Sequence, residues 1–153
     1  MLEENLSWKE IKKEIYATLQ PIESLSKKLR VGIDYQDGFF NVEMLMNKVQ
    51  CFLDKMETCQ KKDFFAIDIE ILKNIKPQIM LFIDSVNNLD DEDRKILYYL
   101  LIKKEREYDV ASKRMSSPCS VSKLNRLKKN AFSKLLENIK YNSLMQQDDT
   151  YRS

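Results

Sequence analysis

The chain of 153 residues carries only two glycines, Gly32 and Gly38, and three prolines, Pro21, Pro77 and Pro118. A β-sandwich or barrel turns back on itself many times and consumes Gly and Pro at those turns. This chain cannot supply them, and it shows no apolar–polar alternation long enough to build a sheet. What recurs instead is apolar residues three and four positions apart, the period of an amphipathic helix. The expected fold class is all-α: an N-terminal helical bundle or hairpin followed by a C-terminal helix-turn-helix.

The length fits one compact domain or two small helical lobes. Three regions are expected: a helical platform over 1–88 for oligomerisation or partner contact, a helix-turn-helix over 89–141, and a disordered polar tail over 142–153. In the platform, Ser7 and Glu10 fit a capping box, followed by Trp8, Ile11, Ile15 and Leu19 on one face. Pro21 predicts a kink in a helix of about 7–31, or two shorter helices, with Gly32 as the stop. Residues 32–40 read as a loop with Gly38 at positive φ. Asn41 then caps a helix to about Lys62, with Val42, Leu45, Met46, Val49, Phe52, Leu53 and Met56 as its apolar stripe. Asp63 caps the next, carrying Phe64, Ile67, Ile71, Leu72 and Ile75. Pro77 marks a boundary after Lys76, and Ile79, Phe82, Ile83 and Val86 continue to Asn87-Asn88. Short breaks of this kind suit antiparallel neighbours in a bundle. A dimer seam would cover the same apolar stripes.

Asp90 or Asp91 opens a helix whose acidic start suits the helix dipole, with Ile96, Leu97, Leu100 and Leu101 facing inward. A short helix follows at Tyr108, Val110 and Ala111. Then comes a turn rich in Ser, with Ser117 as N-cap and Pro118 at the first position of a long basic helix. Val121, Leu124, Ala131, Leu135 and Ile139 form its packing face, with Leu127 and Phe132 beside it. Cys119, Ser122, Lys123, Arg126 and Lys129 lie opposite. This order of elements is the outline of a helix-turn-helix preceded by a supporting helix.

Charge reinforces that outline. Residues 112–140 hold eight Lys/Arg against the single acid Glu137, whereas residues 1–111 carry an excess of acids. Such clustering is the electrostatic footprint of a polyanion binder. A recognition helix reads bases with its N-terminal residues, so Ser120, Ser122, Lys123 and Arg126 are the base-edge candidates. Lys113, Arg114, Ser117, Lys128 and Lys129 are the phosphate candidates.

The residues Leu89-Asp90, Arg94, Ile96-Leu97, Tyr108, Ala111, Ser117, Ser120-Val121, Arg126-Leu127 and Ala131 give residues 83–139 a resemblance to phage-type ArpU-like transcriptional regulators. That region in turn resembles the fourth region of bacterial sigma factors. The resemblance implies a DNA-binding regulator of phage or mobile-element genes in Gram-positive bacteria. The basic helix is then expected to enter the major groove of double-stranded DNA, with the N-terminal helices setting the oligomeric state, as in a homodimer, or contacting RNA polymerase. The chain departs from the family's turn, which has a Gly four residues after the Ala where this chain has Met115, and an apolar residue where it has Arg114. DVASKRM is therefore expected to make a longer or distorted turn. The alternative reading is a helical interaction factor, a phage protein binding a host protein.

No catalytic set is legible. The chain has no histidine, no phosphate-loop or dinucleotide motif, and no ligand spacing for a metal or cofactor, so no enzyme activity is expected. Cys51, Cys59 and Cys119 make an odd count without a secretory signal, which suits free thiols in the cytoplasm. Cys51 and Cys59 lie about 12 Å apart along a helix, too far for a disulfide, and read as apolar filler. No apolar run is long enough for a membrane span.

Overall fold

The computed structural model describes the backbone over 6–58 and 66–152, and the side chains over 6–55 and 74–146. The architecture is all-α with one small β-hairpin. The elements are α1 (Trp8–Leu29), β1 (Asp34–Gln36), β2 (Phe39–Asn41), α2 (Glu43–Thr58), α3 (Ala66–Asn87), α4 (Asp91–Leu97), α5 (Glu107–Asp109) and α6 (Val121–Arg152). A π-helical turn continues α4 over Tyr98–Ile102, and a second continues α5 over Val110–Arg114. Asp63, Phe64 and Cys59, and the side chains of Met56, Ile67, Ile71 and Leu72, lie outside the described residues.

The cap of α1 follows its sequence: the Glu10 N–H donates to Ser7 Oγ at 3.2 Å. Pro21 does not divide this helix, which runs unbroken for 22 residues. Its stop is not Gly32 but Arg30, which takes φ 57°, while the Val31 N–H bonds the Ser26 carbonyl at 3.2 Å. Pro77 likewise sits inside α3 rather than at a boundary. An interior proline costs about 3 kcal/mol. Here Ile75, Ile79, Phe82, Ile83 and Val86 are all buried along one stripe that spans the proline, and burying a large aliphatic or aromatic side chain is worth roughly 1.5–3 kcal/mol each. The stripe outweighs the break.

The expected loop at 32–40 contains a hairpin. Asp37 and Gly38 both have positive φ, 57° and 84°, which is the two-residue turn that matches strand twist. Tyr35 pairs with Phe40 across it. The free edge of β2 is closed by a side chain: the Phe40 N–H donates to Asn87 Oδ1 at 2.8 Å, and Asn87 Nδ2 donates to the Phe40 carbonyl at 3.0 Å. The last residue of α3 thereby satisfies backbone groups that an edge strand leaves open. Asn41 stands one residue ahead of the cap position of α2: its side chain accepts the Glu43 N–H at 2.8 Å, while the Val42 carbonyl accepts the first bond of the helix, from the Met46 N–H at 2.8 Å.

One large core joins all the long helices. Ile15, Leu19 and Ile22 of α1, Leu45 and Val49 of α2, and Phe82 of α3 pack with Phe132, Leu135, Leu136 and Ile139 of α6. A smaller cluster of Ile96, Val110, Ala111, Met115 and Leu124 ties α4, α5 and the start of α6 together. The division at 88/89 is thus no division in the core, because the middle of α6 closes the platform. Nor does the helix end near 141. It continues to Arg152 where a disordered tail was expected. Two asparagines hold it down: Asn138 Nδ2 donates to the Ser85 carbonyl at 3.0 Å and Asn142 Nδ2 to Ser85 Oγ at 2.9 Å. Beyond them Leu144, Met145 and Gln146 are good helix formers that need no apolar period to continue a helix.

Candidate nucleic-acid interface

The long basic helix begins three residues later than its sequence suggests. Ser120, not Ser117, is its cap: the Lys123 N–H donates to Ser120 Oγ at 3.1 Å, and the Leu124 N–H donates to the Ser120 carbonyl at 3.0 Å. Pro118 and exposed Ser117 belong to the preceding turn. The turn runs from the π-helical segment through residues 115–120. The π-helical turn Val110–Arg114 delivers Met115 in extended conformation, φ −75° and ψ 146°. No positive φ is needed there, so no glycine is needed either. The Met115 side chain turns inward and fills the small cluster. The Cys119 N–H closes the turn on the Ala111 carbonyl at 3.0 Å, and the Ser116 hydroxyl donates to Glu92 Oε2 at 3.1 Å.

On α6 the inward face is Leu124, Ala131, Phe132, Leu135, Leu136 and Ile139, all buried. Val121, assigned to that face from sequence, is exposed, because it sits in the first turn ahead of the packed segment. Cys119, assigned to the outward face, is half-buried against the small cluster. Cys51 is exposed rather than filler. Ser122, Lys123, Arg126 and Lys129 all reach solvent, spaced to share one side of the helix.

The fold redistributes the eight cations of 112–140. Arg114 is held by Glu105, at 3.0 Å from Nε and 2.7 Å from Nη2, and lies over the Tyr99 ring at 4.3 Å. The hydrogen bonds to Glu105 raise the Arg114 pKa above its ordinary value. Lys128 is largely covered and bonds Glu107. Lys134 meets Asp93 at 3.2 Å, Lys140 meets Glu14 at 3.5 Å, and Lys113 approaches Asp109 at 3.9 Å. Arg114 and Lys128 thus already have carboxylate partners within the fold. Their partners come from α5 and the segment before it, which a count confined to 112–140 omits. Lys113 keeps most of its side chain in solvent and remains available.

Lys123, Arg126 and Lys129 have no ion pair among the described residues. They are left as an uncompensated stripe at the start of α6. Around its edge lies a group that sequence reasoning missed. Trp8, read only as part of the α1 apolar face, packs on Phe132 with ring centroids 5.0 Å apart. The ammonium groups of Lys12, Lys128 and Lys129 stand 5.4, 5.5 and 5.9 Å from its ring centroid.

Among the described residues no three of His, Cys, Asp or Glu gather into a metal-binding group, and no helix is long and apolar enough to cross a membrane. No family model, no curated protein and no solved structure matches this chain.

Proposed function

We propose that this protein is a non-catalytic regulator of transcription that binds double-stranded DNA through the first half of α6. The observation that carries the reading is the stripe of Lys123, Arg126 and Lys129. Among the described residues these cations have no carboxylate partner, whereas Arg114, Lys128, Lys134 and Lys140 each have one and Lys113 only a loose contact. Ser122 lies among them. The stripe begins at the N-terminal end of a long helix propped by two short ones on a cluster of their own, which suits insertion of a helix into a major groove. The resemblance of 83–139 to ArpU-like regulators supports the same reading and adds phage or mobile-element genes as the target. In this account α1–α3 form the face that meets RNA polymerase or a second copy of the chain.

A second reading has one observation in its favour. Tyr141, Leu144 and Met145 are exposed on the later turns of α6, and an apolar group of that kind suits contact with a host protein.

The test is a pair of substitutions. Lys123→Ala and Arg126→Ala are each expected to cost about 1–3 kcal/mol of binding to a preferred duplex and to relax preference at one base position. Competition assays with single-base variants of the site measure this. Loss that is equal on every DNA sequence would move both residues to phosphate contacts. No loss at all would favour the protein-partner reading.

A further inference from the structure

Trp8 lies on α1, more than a hundred residues from the basic helix in sequence, yet it is ringed by ammonium groups from both helices. Like charges drawn around one ring repel unless something compensates them. The indole face offers part of that compensation, since a ring quadrupole attracts cations. Glu107 offers another part, but it bonds Lys128 alone. Glu10, the nearest acid along α1, shares a hydrogen bond with Ser7. Lys12 and Lys129 have no carboxylate partner among the described residues. Lys9, exposed in the first turn of α1, adds a further charge, and the N-terminal end of a 22-residue helix adds the positive end of its dipole.

We infer that Lys12 and Lys129, organised around Trp8, form a second phosphate-binding point for the backbone of double-stranded DNA, flanking the helix that enters the groove. The inference rests on the DNA-binding reading and extends it to a residue outside the C-terminal third. The geometry favours phosphate over a base edge. Lys129 lies two turns along α6 from the Ser120 cap, at the side of the outward stripe next to α1, and lysine meets a phosphate as a compact point charge. Trp8 packs on Phe132 in the core, which fixes the site relative to the groove-facing stripe. A contact on each side of an inserted helix sets its depth and register without carrying sequence information.

Trp8 is the chain's single tryptophan, so the site carries its own reporter. The experiment titrates the full-length protein with a fluorescein-labelled duplex at several salt concentrations. It follows label anisotropy and Trp8 emission together. Lys12→Ala, Lys12→Gln and Lys129→Ala are each expected to weaken binding about eightfold at 0.1 M salt, equally for preferred and scrambled DNA. Each should also lower the salt slope by about 0.9. Trp8 emission is expected to change in step with anisotropy. Lys27→Ala, the same charge change at the other end of α1, serves as the control. If Lys12 and Lys129 variants behave like Lys27→Ala while Lys123→Ala still weakens binding, the second contact is overturned and the groove-facing stripe stands. If the unsubstituted protein binds no duplex, both fall together.

Discussion

Tyr35 shows how closely single residues are fitted here. Its ring stacks on Tyr98 at 4.7 Å and meets Phe40 edge-on at 5.9 Å, yet its buried hydroxyl has no hydrogen-bond partner among the described residues. An unmet hydroxyl costs stability, so Tyr35→Phe is expected to leave the melting temperature unchanged or raise it at pH 7. Burial first, and then the Asp91 carboxylate, raise the Tyr35 pKa. A raised pKa in the folded state favours the neutral phenol. Its stability is therefore fully present below the ordinary phenol value, about 10, and is lost as pH rises through the folded value. The advantage of the Phe variant should widen above that pH. A drop of several degrees at pH 7 would mean that the hydroxyl has found a partner. Arg94 is the opposite case, a buried cation fully employed. Nε donates to the Gly38 carbonyl at 2.7 Å, Nη1 to the Leu89 carbonyl, and Nη2 meets Asp91 at 3.3 Å. Its role in pinning the hairpin to α4 was not legible in sequence, because Gly38 lies 56 positions away. For the same reason Arg114 and Lys128 read as free cations. A list of charges shows sign and number but not partners.

At the scale of elements, the amphipathic periods were legible and their interruptions were not. Among the described residues the stripes of α1, α2 and the second half of α3 fall on buried or half-buried positions, because burial follows helical spacing. Pro21 and Pro77 failed as boundaries because long apolar stripes outweigh one missing hydrogen bond. The hairpin was missed because three-residue strands carry almost no alternation. The turn before α6 is the most informative departure. Met115, at the departure from the ArpU-like turn noted in the sequence, is part of the packing of its cluster. Met115→Ala is expected to cost about 2–5 kcal/mol in urea unfolding. Hydrogen exchange should show the loss of protection concentrated over 107–124, where that small cluster holds the chain. Protection lost evenly across α1 and α3 would mean that the two clusters open as one.

For the whole molecule, the main lesson is that the basic helix is not an appendage. Its middle turns complete the core of the platform, so a fragment of 89–141 would expose Phe132, Leu135 and Ile139, and any binding test belongs on the full chain. Fold class was legible because glycine content and period bear directly on it. The candidate surface was legible in part: Lys123, Arg126 and Lys129 are exposed and spaced to share one side of α6. Lys12 and Trp8 were hidden because they join the surface only through tertiary packing. The proposal that this surface binds duplex DNA is tested by the affinity of the purified full chain for a labelled duplex across a range of salt concentrations. With Lys12, Lys113 and Lys129 on phosphates, log affinity is expected to fall linearly with log salt, with a slope of about −3, and a preferred site to outcompete scrambled DNA. Affinity that is undetectable, or indifferent to salt, would contradict it.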